Sequence, residues 1–75
     1  MAGRIRRMNA RQIEALLRRH GFVLISQKDS HRKWRQSERH LQVVVPDHGG
    51  RDLPLGTLRS ILLASLIPEP EWRTE

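Results

Sequence analysis

The sequence predicts a small α+β domain in which a helix, three strands and a second helix follow one another. Apolar residues at helical spacing occur near both ends of the chain, and polar turns divide the β-forming region between them into three. Turns this short predict an antiparallel meander. Two helices packed on such a sheet can cover one face only, so the other face is expected to be open.

The first helix is expected at residues 10–20. Asn9 and Gln12 have the spacing of a capping box, and apolar side chains then repeat at helical spacing as far as Gly21, which favours helix termination. His20 lies at the carboxyl end of this helix, where the helix dipole favours an imidazolium, and we interpret it as a structural residue.

The strands are expected at residues 22–25, 31–36 and 40–45. The first of these segments is rich in β-forming residues, and a polar turn at residues 28–30 closes it. A second turn at residues 37–39 separates the other two strands, and Pro46 stops the last one. The three strands therefore form the meander.

The second helix is expected to be capped by Thr57 and to run to Leu66, before two prolines. Residues 68–75 then predict a loose tail containing Pro and Glu. At the other end of the chain, residues 1–8 predict a basic leader or arm. The folded domain is therefore expected at residues 9–67.

Length and composition limit the kind of site that this chain can build. At 75 residues it is a single domain, and folding buries only about 60% of the surface of so short an unfolded chain. A shallow surface is expected rather than an enclosed pocket, which suits a polymeric substrate better than a small metabolite. The chain has no cysteine, which excludes disulfides and thiolate chemistry.

The charge favours a polyanionic partner. Fourteen Lys and Arg residues against eight Asp and Glu residues give a formal net charge of +6. The cations are mostly arginine, which contacts phosphate in a bidentate manner and stacks on bases, so nucleic acid is the favoured partner. The alternative that the charge only keeps a small protein soluble stays open.

Membranes and metals are not expected. No apolar run approaches the roughly 20 residues of a membrane helix, and residues 1–7 lack the apolar core of a secretory signal, so we expect a cytoplasmic protein. The four histidines lack tight metal-ligand spacing, and no cluster of carboxylates is present to hold Mg²⁺. We therefore expect neither a metal nor another cofactor.

Strand alternation assigns the residues of the second strand to the two faces of the sheet. Trp34 is its one large apolar side chain, so it is expected under the helices, with Arg32 and Gln36 pointing the same way. Three residues are then left on the open face: His31, Lys33 and Arg35. In the third strand the same rule buries Leu41, Val43 and Val45.

The exposed His31 is the candidate catalyst. An exposed imidazole can accept or donate a proton near neutral pH, and Lys28, Lys33 and Arg35 could hold a phosphodiester against it. This is the minimum equipment for RNA cleavage without metal, in which the ribose 2′-hydroxyl attacks the adjacent phosphorus and cations stabilise the charge that develops. Spacing alone, however, favours a solvated surface histidine.

Three motifs of the chain resemble those of the HicA toxin family. The family has a Gly-Ser-His turn, and residues 29–31 read Asp-Ser-His in its place. A Val-Pro-x-His strand exit is matched at residues 45–48, and Leu-x-x-Gly-Thr-Leu at the start of the last helix is matched at residues 53–58. The resemblance covers about residues 12–67, which is most of the chain.

This resemblance implies a fold like that of the double-stranded-RNA-binding domain. It also implies an mRNA interferase, a metal-independent endoribonuclease toxin of a type II toxin–antitoxin system that acts on mRNA or other single-stranded RNA. The catalytic role falls on His31. RNA contacts are expected from Lys28, Ser30, Lys33, Arg35 and His48. The implied partner is a HicB-like antitoxin protein that covers the His31 surface.

Two of these residues leave alternatives open. Asp29 replaces the family glycine beside His31, and its side chain and charge could weaken the approach of RNA. Equally, Asp could form the same turn and accept a hydrogen bond from His31. His48 could contact phosphate or act as a second acid, or it could fix its own loop by hydrogen bonding.

Two other functions compete with the toxin. Because Asp29 stands beside the candidate catalyst, the chain could be a non-catalytic RNA-binding module of the same fold. A protein-binding adaptor whose charge serves solubility is the second rival, and it would be indifferent to RNA at any salt concentration.

Overall fold

The computed structural model describes residues 4–74 and has the predicted order of elements. It contains α1 (Ala10–Arg19), β1 (Val23–Lys28), β2 (His31–Gln36), β3 (Leu41–Pro46), α2 (Leu55–Ser65) and a short 3₁₀ helix, Glu69–Glu71. The strands form one antiparallel sheet in the order β1-β2-β3. Residues 1–3 of the expected leader, and Glu75, lie outside the described residues. No helix within residues 4–74 is long and apolar enough to cross a membrane.

The helices pack on one face of the sheet, which confirms the predicted α+β architecture. The molecule measures 37 × 30 × 17 Å, and its smallest dimension leaves room for one sheet and one layer of helices. Side chains from the helices, the strands and both terminal segments form the core between the two layers: Met8, Ala10, Ile13, Leu16, Leu17, Phe22, Trp34, Val43, Val45, Leu53, Leu58, Ile61, Leu62, Ile67 and Trp72.

Helix α1 begins with the predicted capping box. The Asn9 side chain accepts a hydrogen bond from the Gln12 N–H at 2.9 Å, and the Gln12 side chain accepts one from the Asn9 N–H at 2.8 Å. The helix ends at Arg19, because Gly21 takes a positive φ of 85° and turns the chain into β1. The Phe22 side chain then enters the core.

Strand β1 is the exposed edge of the sheet. It runs three residues further than expected, to Lys28, and none of its six residues is buried. A β-bulge between Leu24 and Ser26 interrupts its pairing with β2. Because α2 packs mainly on β3, Leu24 of β1, which pairs with Trp34 on the helix side, stays 39% exposed, and Val23 on the opposite face is 63% exposed.

The predicted alternation in β2 and β3 is confirmed. Trp34 is 1% exposed and pairs with Val43, and both lie under the helices with Val45. On the opposite side of the sheet Lys33 pairs with Val44, which is 42% exposed. The burial of Trp34 therefore decides which face each β2 side chain occupies.

A buried carboxylate holds Trp34 in place. Glu14 of α1 is 6% exposed and accepts hydrogen bonds from the Trp34 indole N–H at 2.9 Å and from the Arg32 Nε–H at 2.6 Å. The Arg18 guanidinium lies over the Trp34 ring, 4.9 Å from its centroid. α1 and β2 are thus joined by a polar contact at the edge of the core, in which one carboxylate oxygen accepts two hydrogen bonds.

The prediction that Thr57 caps α2 was wrong. Thr57 is the third residue of the helix, which begins at Leu55 after an N-cap at Pro54 that makes no side-chain capping bond. The Pro54 carbonyl accepts the first helical hydrogen bond, from the Leu58 N–H at 2.9 Å. Proline provides a suitable φ without an N–H of its own, so the N-cap and the helix start lie three residues earlier than expected.

The prediction of a loose tail after Pro68 was also wrong. Trp72 is 2% exposed, and its indole N–H donates to the Ile67 carbonyl at 2.8 Å. The Arg6 N–H donates to the Trp72 carbonyl at 2.8 Å, so the basic arm pairs with the tail. Burial of a large indole outweighs the tendency of a short Pro/Glu segment to remain solvated.

We expect Glu14→Ala to lower the free energy of unfolding by about 3 kcal/mol, because it leaves the Trp34 indole N–H buried without its acceptor and removes the closer of the two carboxylate partners of Arg32. Glu14→Gln, which can still accept from Trp34, should lose less. Urea unfolding followed by tryptophan fluorescence measures both changes. The matched control is Glu38→Ala at an exposed turn position, with a change within about 0.5 kcal/mol. Equal losses at the two positions would contradict the role of Glu14.

We expect Trp72→Ala to lower the free energy of unfolding by about 3–5 kcal/mol, because it opens a large cavity and releases the tail from the arm. Leu63→Ala is the control, since Leu63 is 56% exposed and its loss should cost within about 0.5 kcal/mol. The same urea titration measures both variants. A Trp72→Ala protein as stable as the parent would show that the tail contributes nothing to the domain.

Candidate functional site

The open face of the sheet consists of three rows of paired side chains. Cross-strand neighbours in register share a face, so the pairing defines each row. The rows run across β1, β2 and β3 as Val23, Arg35 and Gln42, then Ser26, Lys33 and Val44, then Lys28, His31 and Pro46. No Asp or Glu occurs in these rows, so the charged side chains of the open face are all cationic.

His31 lies at the end of this surface. It is the first residue of β2, is exposed, and pairs with Lys28 on one side and Pro46 on the other. Lys33 follows two residues later on the same face, about 7 Å further along the strand. The structure therefore places His31, Lys28 and Lys33 at one end of the open face.

Arg35 and Ser30 occupy different parts of the surface. Arg35 is half-buried in the row beyond Lys33, so of the three cations on the open face it lies furthest along the sheet from His31. Ser30 is exposed in the turn immediately before His31, and its carbonyl accepts the Asp47 N–H at 2.7 Å. Ser30 thus joins the β1–β2 turn to the loop that follows β3.

Asp29 adopts the backbone conformation that a glycine would favour. Its φ is 56°, in the left-handed region, which Asp tolerates better than most residues. Within residues 4–74, its carboxylate makes no hydrogen bond with His31. The turn therefore forms without glycine, and a negative charge lies beside the candidate catalyst with no hydrogen bond between them.

Asp47 fixes the loop that carries His48. One carboxylate oxygen of Asp47 accepts the Gly49 N–H at 2.8 Å, and the other lies 3.5 Å from the Arg32 guanidinium. Because Asp47 also donates its N–H to Ser30, the half-buried His48 is held at the same end of the sheet as His31. No hydrogen bond from the His48 side chain is found within residues 4–74.

The pKa of Asp47 is lowered by these contacts. The Gly49 N–H is the main cause, desolvation opposes it, and the positive charge of Arg32 lowers the pKa further. Arg32 also donates to Glu14, and that hydrogen bond is the main reason why its own pKa is raised. A chain of ionic contacts thus runs from the core at Glu14 through Arg32 to the loop beside His31.

Sequence reasoning missed Glu14 and Asp47. Two signals were available for them. Strand alternation directed Arg32 and the Trp34 indole under the helices, where both need an acceptor, and Glu14 is the acidic residue of α1. Asp47 precedes Gly49 by two residues, the spacing at which an Asp side chain accepts a backbone N–H in a turn.

A shallow groove adjoins this end of the sheet. Its volume is about 410 Å³, and its lining includes Arg11, Arg32, Asp47 and the glycines of the His48 loop. Its charged lining is mixed, since Arg32 is paired with Glu14 and Asp47, and the Asp47 carboxylate accepts the Gly49 N–H. Within residues 4–74, no group of three or more His, Asp or Glu side chains is placed to hold a metal ion.

We expect the Asp47 carboxyl to titrate below the ordinary range of aspartate, with Arg32→Gln moving it partly back because the Gly49 hydrogen bond remains. A lowered native pKa stabilises the loop above the ordinary aspartate pKa, and that stabilisation is lost as pH falls through the native pKa. Carbon NMR of the Asp47 carboxyl measures the titration. Arg39→Gln, at an exposed turn position, should leave it unchanged. An ordinary midpoint in the parent would contradict these contacts.

The comparisons with known proteins agree with this geometry. The family model described as the HicA toxin of bacterial toxin–antitoxin systems matches residues 10–66. A comparison with curated proteins gives no match. The matched segment contains both helices, all three strands and both candidate histidines, His31 and His48. The chain therefore belongs to the HicA toxin family, as the motifs of its sequence indicated.

Proposed function

We propose that this toxin is an mRNA interferase, an endoribonuclease that binds single-stranded RNA on the open face of its sheet and cleaves it with His31. The observation that carries the proposal is the position of His31, exposed at the end of β2 beside Lys28 and Lys33 on a face without acidic strand residues. A negatively charged backbone lying on these cations would pass over the imidazole.

The proposed reaction needs no metal ion or cofactor. His31 removes the proton from a ribose 2′-hydroxyl, whose oxygen attacks the adjacent phosphorus. A bond from the 2′-oxygen to phosphorus forms and the bond from phosphorus to the 5′-oxygen breaks, which leaves a cyclic phosphate. Lys28 and Lys33 stabilise the negative charge on the phosphoryl oxygens. The departing 5′-oxygen takes a proton, for which His48 and Lys33 are the candidates.

RNA binding is proposed to depend on the phosphate backbone. Lys28, Lys33 and Arg35 supply the charges, while Ser30 and His48 supply hydrogen bonds at the cleavage end. The aromatic residues of the chain are Phe22, Trp34 and Trp72, and all are buried. Because no Phe, Tyr or Trp ring is exposed for bases to stack on, phosphate contacts should supply most of the affinity, which should therefore decline steeply as salt rises.

A HicB-like antitoxin is the proposed partner, in keeping with membership of a toxin–antitoxin family. The surface that it must cover is the open face around His31, whose charge is positive. Acidic residues on the antitoxin would complement that face and exclude RNA from it. Such a pair would act in the cytoplasm, where mRNA is present.

One specific observation favours a second candidate, a non-catalytic RNA-binding module. Asp29 places a carboxylate in the turn beside His31, without a hydrogen bond to the imidazole. A phosphate approaching His31 would meet this charge at short range, which disfavours the geometry needed for cleavage. Binding along Lys33 and Arg35, further from the turn, would suffer less.

The test is to incubate the purified chain with a long single-stranded RNA in EDTA, beside His31→Ala and Asp29→Gly variants. We expect the parent to cut, His31→Ala to be slower by about 100-fold or more, and Asp29→Gly to cut faster because a negative charge is removed. His40→Asn is the control, since His40 is an exposed histidine at a positive φ of 57°, which Asn tolerates.

The remaining outcomes separate the candidate functions. Salt-dependent binding by all variants with cleavage by none would favour the RNA-binding module. Cleavage by Asp29→Gly alone would identify a toxin whose turn suppresses its activity. Cleavage that survives His31→Ala would remove His31 from the mechanism, and cleavage that EDTA abolishes would contradict the metal-independent reaction.

A further inference from the structure

We propose that a second surface, in the helical layer, binds a peptide segment that carries an aliphatic side chain between acidic residues. It is a concavity of about 470 Å³, which we call the arginine pocket, lined by Arg4, Ile5, Arg7, Leu55, Arg59 and Arg73. None of these residues belongs to a strand, so the pocket is separate from the open face that carries His31.

The walls of the arginine pocket are apolar. Leu55 is 47% exposed at the start of α2, although it is a large aliphatic residue, and Ile5 packs partly against the core. A volume of about 470 Å³ falls within the range of about 300–1,000 Å³ typical of ligand pockets. An aliphatic side chain that entered would remove the exposed surface of Leu55 from water.

The rim of the arginine pocket is strongly cationic. Arg7 donates to the Leu53 carbonyl at 3.4 Å, and Arg73 lies over the Trp72 ring while bonding Glu69 at 2.6 Å, so both are fixed in position. Arg4 and Arg59 are exposed, and within residues 4–74 neither forms an ion pair. Among residues 4–74, Glu69 forms an ion pair with one of these four arginines, Arg73.

The combination of these walls and this rim determines the occupant. Carboxylates flanking the inserted side chain would meet Arg4 and Arg59 in bidentate contacts. The first turn of α2 adds to the positive potential, since Pro54 provides no side-chain cap. RNA fits less well: the arginines of the rim would also contact phosphate, but an RNA backbone has no aliphatic group to cover Leu55 and Ile5.

An occupant of the arginine pocket would not compete with RNA for the sheet. The helices and the arginine pocket lie on one side of the sheet, and His31 and Lys33 lie on the other. The proposal is therefore independent of whether His31 cleaves RNA. It assigns two recognition surfaces to one small domain, one for a polyanionic backbone and one for a mixed apolar and acidic peptide.

The test uses the full chain labelled with ¹⁵N and a blocked nine-residue peptide that has one central leucine and glutamate elsewhere. We expect amide shifts concentrated at residues 4–7 and 55–59. A second peptide with serine in place of leucine should bind about tenfold more weakly, which isolates the apolar contribution. A third peptide with lysine in place of glutamate should not bind, which isolates the charge.

Matched variants locate the site. Arg59→Glu should weaken the leucine–glutamate peptide about tenfold, whereas Arg39→Glu, which changes the net charge equally at an exposed turn, should have little effect. Leu55→Ser should weaken binding, whereas Leu63→Ser, at an exposed leucine of the same helix, should not. These two comparisons distinguish binding in the arginine pocket from a general attraction of the acidic peptide to a basic protein.

Three results would overturn the proposal. The first is equal binding of the leucine and serine peptides, which would indicate charge alone. The second is amide shifts confined to the sheet face around Lys33. The third is that an oligouridine shifts the amide signals of residues 4–7 and 55–59 and the peptide does not. That result would make the arginine pocket part of an RNA-binding surface.

Discussion

The rest of the structure depends on the burial of Trp34. Every other residue of β2 is polar or charged, so the Trp34 indole is the one apolar side chain by which this strand packs against the core. Its N–H needs an acceptor there, and Glu14 provides one at 2.9 Å. The acceptor is itself charged, and Arg32 compensates it. A single large side chain thus sets the register of β2 and links α1 to the central strand.

This constraint separates the two faces of the domain. With Trp34 and Arg32 under the helices, strict alternation places His31, Lys33 and Arg35 on the open side. The domain is only 17 Å thick, so the open face of the sheet and the outer side of the helical layer are both near solvent. A small protein can in this way present a cationic sheet on one side and an apolar, arginine-rimmed concavity within the helical layer on the other.

The candidate cleavage end is organised by backbone contacts more than by side chains. The Asp47 N–H bond to Ser30 holds two loops together, and the left-handed Asp29 forms the turn that a glycine would favour. His31 and His48 therefore lie at the same end of the sheet. Within residues 4–74, no hydrogen bond joins them. Catalytic geometry here would come from rigid attachment of the turn and the loop to the sheet.

The sequence by itself determined the element order, the capping box of α1 and the faces of β2 and β3, because these follow from local periodicity and from one buried indole. It also determined the family, through motifs at residues 29–31 and 45–58. Only the tertiary structure decided the rest. Burial of Trp72 and pairing of the two terminal segments join residues far apart in the chain, and no local pattern encodes these contacts. The hydrogen bond from Arg32 to Glu14 is also long-range, and strand alternation indicated only that Arg32 needed an acceptor under the helices. The start of α2 follows from Pro54, whose φ suits the N-cap position. The exposure of β1 was decided by packing, since the helices lie mainly on β3 and leave the opposite edge in solvent.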